Sequence, residues 1–173
     1  MTFYIIKFYS HLCLSILRME NYTMKLEIRW ADIDQNRHLR HSVYYDYGAW
    51  IRIKFLNEHG LSSSKMEELN TGPVIFREEA IFKREIRPED EITIDVELLS
   101  ATPDFRRWSL RHHFKKNDGT IAAILNLDGA WIDIQKRKLM SPGDLVRKAF
   151  EEFPKSEEFR LMNVTSGESK RNG

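Results

Sequence analysis

Four side chains able to exchange protons or hold a cation fall close together, Asp32 and Asp34 spaced D-x-D, then His38 and His41 spaced H-x-x-H. They lie in the stretch IRWADIDQNRHLRHSVYYDYGAWIR, residues 28–52, where a polar loop leads into an aromatic segment with helical spacing. A carboxylate just ahead of a helix N-terminus sits beside backbone N–H groups that have no intrahelical partner and that favour developing negative charge. One segment thus supplies a base and an oxyanion site, the pair needed to activate water against a carbonyl. Asp34 is the candidate base, because the loop between it and a helix cap at Ser42 is too long for a plain capping role. Asp32 reads as structural, with Arg29 and Arg37 as its nearest charged neighbours. His41 can orient substrate or tune Asp34, and His38 is first a structural residue and second a substrate contact. The four together also form a carboxylate–imidazole set of the kind that binds zinc or manganese. H-x-x-H in a loop is a weak metal pattern, and no metal or other cofactor is expected.

The elements that position this loop follow from periodicity. Residues 25–30 read as a first short strand. Ser42 is expected to cap a helix running to about Asn57 and ending at Gly60, with Val43, Tyr44, Tyr47, Trp50, Ile51 and Phe55 recurring at helical spacing. Apolar residues occupy most of its circumference, as in a helix buried all round. Gly48 in its middle marks close approach to a neighbouring backbone or is simply tolerated. A short helix at 64–69 precedes strands at 74–86, 92–98, 108–114 and 120–134. Strict alternation of Ile92, Ile94, Val96 and Leu98, and of Trp108, Leu110, His112 and Phe114, marks two of these as half-buried. Asn117-Asp118-Gly119 is a hairpin turn, and Gly129 a candidate bulge. A final helix at 143–153 follows Pro142, and the polar tail from Pro154 is expected to be disordered. One apolar helix and four consecutive strands with short connections predict an α+β chain in which an antiparallel β-sheet wraps around a long central α-helix.

The 173 residues suit one domain, placed at 24–153 between an extension at 1–23 and a tail at 154–173. The extension is apolar but interrupted, too short for a membrane span and without the flanks of a signal peptide, so translation is expected to start at Met24 or Met19. A net charge of +1 gives no push toward nucleic acid or an anionic membrane. The one cysteine, Cys13, forbids an intramolecular disulfide and a cysteine nucleophile within 24–153, and a cytoplasmic location is the natural reading. Phosphate-binding G-x-x-x-x-G-K loops, G-x-G-x-x-G and G-x-S-x-G elbows do not occur.

The loop and the elements around it resemble the hotdog-fold acyl-CoA thioesterases, the 4-hydroxybenzoyl-CoA thioesterase group and its Tol–Pal-associated cousins, over roughly residues 24–142. The family loop, D-x-D-x-x-G-H-V-N-N-x-x-Y with histidine in place of the second N in one variant, is matched by Asp32, Asp34, His38, His41 and Tyr44. The departure is Arg37, where the family has a glycine that permits a tight backbone path. An arginine there either alters the loop or pairs with Asp32. The resemblance implies that Asp34 is the catalytic carboxylate and that a backbone N–H near His41 polarises a thioester carbonyl. It also implies a homodimer or homotetramer with active sites at the subunit interface and CoA held largely by surface residues.

The reading that results is an acyl-CoA thioesterase acting on acyl-CoA or an acyl-carrier protein, with Asp34 as general base or nucleophile. Tyr44, Tyr45, Tyr47 and Trp50 are available to shape an acyl or aryl pocket, and Arg106 and Arg107 to meet the CoA phosphates. The alternative is a non-catalytic acyl-binding module of the same fold. A hydratase comes third, since the histidine–proline dipeptide of that variant is absent.

Overall fold

The computed structural model describes residues 22–163, so the leader with Cys13 and the expected start at Met19 lie outside the described residues. Strand β1 (Tyr22–Leu26) is followed by a single 3-10 turn (Trp30–Asp32), helix α1 (Val43–Glu58) and a short helix α2 (Ser63–Glu68). Strands β2 (Thr71–Phe82), β3 (Ile92–Ala101), β4 (Arg107–Lys116), β5 (Ile121–Asp133) and β6 (Lys138–Leu139) come next. Helix α3 (Asp144–Glu151) and strand β7 (Lys155–Leu161) complete the order. One sheet runs β1-β3-β4-β5-β2 with antiparallel neighbours; β6 pairs with β5, and β7 pairs with β3 in parallel. Helix α1 packs against β1, β2, β3 and β5, so the sheet curls around it. The α+β architecture is the one the periodicity implied.

Alternation explains which sheet face holds the core. Ile92, Ile94, Val96 and Leu98 of β3 and Trp108, Leu110 and Phe114 of β4 are buried toward α1, while their charged neighbours point outward. Against them α1 buries Val43, Tyr44, Tyr47, Ile51, Phe55 and Leu56.

Several expectations need correcting. The first strand lies earlier than 25–30 because Tyr22 already pairs with Val96, and Trp30 belongs to the turn. Ser42 stands at the helix start but in helical geometry, φ −69° and ψ −28°, and makes no side-chain cap bond. Helix α1 is not buried all round: Trp50 and Ile53 are half exposed beside β2, which is itself the edge of the sheet. The tail from Pro154 carries β7, whose residues pair with the half of β3 that β1 leaves open.

The two glycines singled out in the sequence act through side chains. The register of β2 against β5 shifts between Ile75 and Arg77, so the extra residue is in β2 and Gly129 is not the bulge. Gly129 instead accommodates an indole: a Cβ there would lie 2.3 Å from Trp108 Cη2. At Gly48 a Cβ would lie 2.4 Å from Leu125 Cδ2 and 3.2 Å from Arg52 Nη1. The close approach is to side chains of the sheet and of the helix's next turn.

That space houses a buried polar contact in an otherwise apolar layer. His112 Nδ1 is 2.8 Å from the Asp95 carbonyl and must donate to it, which leaves Nε2 to accept from Arg52 Nη1 at 3.0 Å. Arg52 also meets Glu78 of β2 at 3.1 Å, tying helix, central strand and edge strand together. Protonating Nε2 would set two donors against each other. Burial first, and the Arg52 charge second, push the His112 pKa down to about 3.

Two measurements follow. Gly129→Ala is expected to destabilise the protein by about 1–3 kcal/mol through overpacking against Trp108, read as a lower urea midpoint. For His112, the unfolded chain takes up a proton below its ordinary pKa near 6.5 while the native state resists until about 3. Stability from this group is therefore complete above pH 6.5 and falls by about 1.4 kcal/mol per unit as pH drops toward 3. An NMR titration should show the His112 ring still neutral at pH 5; a protonated ring there would overturn the assignment.

Candidate active site

The loop holding the two acids is built from the backbone outward. Asp32 is buried at 1% exposure, yet both of its carboxylate oxygens are occupied. Oδ1 accepts from Arg29 Nη2 at 2.9 Å, and Oδ2 from the Arg29 N–H and Nε, each at 3.1 Å. Tyr47 Oη lies 2.8 Å from both Asp32 Oδ2 and the Glu27 carbonyl, and its single proton serves one of them at a time. The Arg29 hydrogen bonds hold the Asp32 carboxyl below the usual carboxylate range, and burial with the Asp32 contact raises the Tyr47 phenol. The structural role read for Asp32 holds, with Arg29 rather than Arg37 as its partner.

Two residues on, the chain makes a small hairpin. Ile33 and Leu39 form an isolated antiparallel bridge; the Asp34 N–H donates to the His38 carbonyl at 2.8 Å and the Arg37 N–H to the Asp34 carbonyl at 3.1 Å. Asp34 Oδ1 accepts from the N–H groups of Asn36 at 2.8 Å and His38 at 3.0 Å. Asp34 Oδ2 has no hydrogen-bond partner among the described residues. Closing this loop takes one residue in left-handed conformation, the position usually filled by glycine. Arg37 fills it with φ 63°. Arg37 thus takes a conformation that glycine favours, and it does not pair with Asp32, whose carboxylate is held by Arg29.

Asp34 and His38, both half-buried, line one cleft of roughly 730 Å³ with Trp30, Arg37, Arg87 and Glu89 among its walls. Residues 86–90 are held against the loop from the other side, since the Leu39 N–H donates to the Ile86 carbonyl at 2.7 Å. His41 is exposed at the start of α1 and does not line that cleft. The N–H groups of His41 and Ser42 have no acceptor among the described residues, so two backbone donors stand free at the positive end of α1. Tyr44 is a core residue with edge-on contacts to Phe82 and Phe114. Its phenol is pushed up to about 12 by burial and then by the charge of Asp34, which places that carboxylate within electrostatic reach. Tyr47 is committed to Asp32 and Glu27.

Arg106 and Arg107 stand elsewhere. Arg106 pairs with Asp104 at 3.7 Å, and the Arg107 guanidinium lies over the Phe76 ring at 5.6 Å. Both sit at the start of β4, whereas the 86–90 segment beside the Asp34 loop is tied through Asp90 to Lys116 at the other end of that strand, about 30 Å along it if fully extended. Within one protomer they are not brought together with Asp34. Sequence reasoning did not single out Trp30, exposed at 89%, or Arg87 as neighbours of Asp34. Trp30 was hidden in the sequence because Leu26, Ile28 and Trp30 alternate as in a strand, which gives the indole an apparent core position. A separate apolar pocket of about 200 Å³ lies between α1, β2 and α3, lined by Ile53, Leu56, Ile75, Trp108, Phe150 and Phe153 among others. Among the described residues no three His, Cys, Asp or Glu side chains are grouped to hold a metal ion. No helix among them is long and apolar enough to cross a membrane.

Comparison with known proteins places this geometry. The profile of the thioesterase-like superfamily matches residues 28–156. A hypothetical protein from Staphylococcus aureus, solved in complex with CoA, is similar with a TM-score of 0.73 and 17% identity, over 91% of this chain and 97% of that one. A DHNA-CoA thioesterase from Staphylococcus aureus has a TM-score of 0.66 at 14% identity, over 75% and 88%. The probable thioesterase YbaW from Escherichia coli has 0.65 at 18%, over 78% and 99%. No curated protein sequence matches the chain. The curled sheet around α1 is the hotdog fold.

Proposed function

The chain belongs to the thioesterase-like superfamily, and from that premise we propose that it hydrolyses acyl-CoA thioesters, with Asp34 as the group that delivers the attack. The observation that carries this reading is the state of the Asp34 carboxylate. One oxygen is anchored by two backbone N–H groups, so the side chain is held in place, and the other is left without a partner beside an open cleft. In the proposed reaction the thioester carbonyl lies against the free N–H groups of His41 and Ser42. Their partial positive charge stabilises the oxyanion that forms. Asp34 removes a proton from the attacking water or adds to the carbonyl itself. Collapse of the tetrahedral species breaks the carbon–sulfur bond and releases CoA thiolate, which is protonated; with water as the nucleophile the free acid forms in that step, and with Asp34 as the nucleophile a water then hydrolyses the acyl–Asp34 anhydride to the free acid and restores the carboxylate.

The apolar pocket beside β2 offers space for part of an acyl group. Its 200 Å³ can be compared with an engineered apolar cavity of about 150 Å³ that stays dry and binds benzene. A homo-oligomer is part of the proposal. Ile75, Phe76, Ile81 and Phe82 of the edge strand and Trp50 and Ile53 of α1 are exposed at 42–56%, an apolar face that a second copy of the chain would cover.

Asp34→Asn is the decisive variant because its amide oxygen can still accept from Asn36 and His38 and so keeps the loop. Thermal stability should stay near that of the parent, while CoA release from a panel of acyl-CoA thioesters, followed by free-thiol detection, should fall by about 10²–10⁴-fold. Undiminished turnover would remove Asp34 from the chemistry. Acyl-CoA binding by the parent protein without turnover would instead make it a binding module.

A further inference from the structure

We propose that Trp30 and Arg37 form the subsite for the phosphate-bearing nucleotide end of the substrate, beside the Asp34 cleft; this rests on the thioester reading above. Two anomalies among the residues lining one cleft lead to it. Trp30 exposes 89% of its surface and lines that cleft, so its indole face is open to a ligand held there. Arg37 holds φ 63° in a conformation that costs a side-chain-bearing residue free energy and a glycine nothing. Of the four non-glycine residues at positive φ among the described residues, Arg37 is the one that lines this cleft, and a strained conformation beside a candidate site directs attention to what its side chain does there.

The charges around Arg37 supply the rest. Among the described residues its guanidinium has no hydrogen bond or ion pair, although acids are close at hand in sequence. Asp32 is taken by Arg29, and Asp34 Oδ1 is taken by backbone donors. The loop therefore holds a free planar fork of donors at a cleft that Trp30, a flat aromatic surface, also lines. Arg87 lines the same cleft, exposed and held only at 3.3 Å by Glu85, so it can turn to a second phosphate. Guanidinium groups recognise phosphate through paired charge-assisted hydrogen bonds, and indole rings stack on purine bases. A ligand that is anionic and carries an aromatic base satisfies both at once. At roughly 730 Å³ the cleft is far larger than a short acyl group needs. The same end of the protein presents Asp34, so a nucleotide held here would direct its thioester arm toward the carboxylate.

Arg37→Gly separates this role from a structural one because glycine suits the backbone better than arginine. The thermal midpoint should hold or rise. Calorimetry with free CoA and with pantetheine, which lacks the nucleotide, gives the readout. CoA should bind the variant about three- to tenfold more weakly than the parent, between the value of an exposed ion pair and that of a bidentate one. Pantetheine binding should not weaken in proportion, and Arg37→Lys should recover part of the CoA affinity. CoA should also quench tryptophan fluorescence in the parent, an effect that Trp30→Ala removes. CoA binding to Arg37→Gly as tight as to the parent, or an equal loss for pantetheine, would overturn the subsite, as would a parent protein that binds no CoA. Parent protein that binds CoA through Arg37 but hydrolyses no thioester would sink the hydrolase reading and leave this site standing.

Discussion

A carboxylate buried at 1% exposure with every oxygen engaged, Asp32, is the constraint from which the site is built. It joins three pieces of chain by hydrogen bonds: the end of the run after β1, the turn at 30–32 and the second turn of α1. Its own carbonyl accepts from the Arg40 N–H at 2.8 Å, closing the loop on the helix side. A buried carboxylate left short of donors would be costly to keep charged. Here Arg29 wraps it and Tyr47 reaches up from the helix, so the charge is kept and its geometry is fixed. Asp34 follows two residues later with its freedom already removed. The D-x-D spacing thus divides the labour between one acid that holds position and one that is left available.

The fold was legible because its signals are local. Period-two alternation in β3 and β4 and the helical spacing of Val43, Tyr44, Tyr47, Ile51 and Phe55 need no tertiary knowledge. The Asp34–His38 loop was legible for the same reason, since its hydrogen bonds run within five residues. What escaped depends on contacts remote in sequence. Strand β7 is charged at Lys155, Glu157, Glu158 and Arg160 and reads as a polar tail; it is a strand because the open half of β3 accepts it. Nothing in the sequence around Arg52 marks it as buried; it is so because His112 and Glu78, remote in sequence, approach it. Gly129 carried a turn-forming residue's usual suggestion of a bulge, yet the indole that needs its missing Cβ is on another strand.

The core and the candidate site meet in α1. The backbone N–H groups of His41 and Ser42 stand free just ahead of it, its second turn anchors Asp32 through Tyr47, and its third carries Arg52 to His112 and Glu78. A helix held in this way cannot be shifted along its axis without breaking both attachments. The polar Arg52 contact at its middle acts as a register mark in an apolar layer, where greasy side chains alone would tolerate sliding. The face bearing Trp50 and Ile53 is different in character, since nothing within the protomer fixes it.

The pairing of β7 with β3 carries a consequence for how the chain comes off the ribosome. Leu98, Ser100 and Ala101 wait for partners at Lys155, Arg160 and Leu161, while their other edge is taken by the neighbouring hairpin. Translation at about 5–20 residues per second leaves that ladder of unpaired amides open for several seconds after β4 and β5 have emerged. An unpaired edge in a nascent polypeptide is a template for misjoining with a sister molecule. The interval before the last strand docks is therefore when a holding chaperone has most to protect.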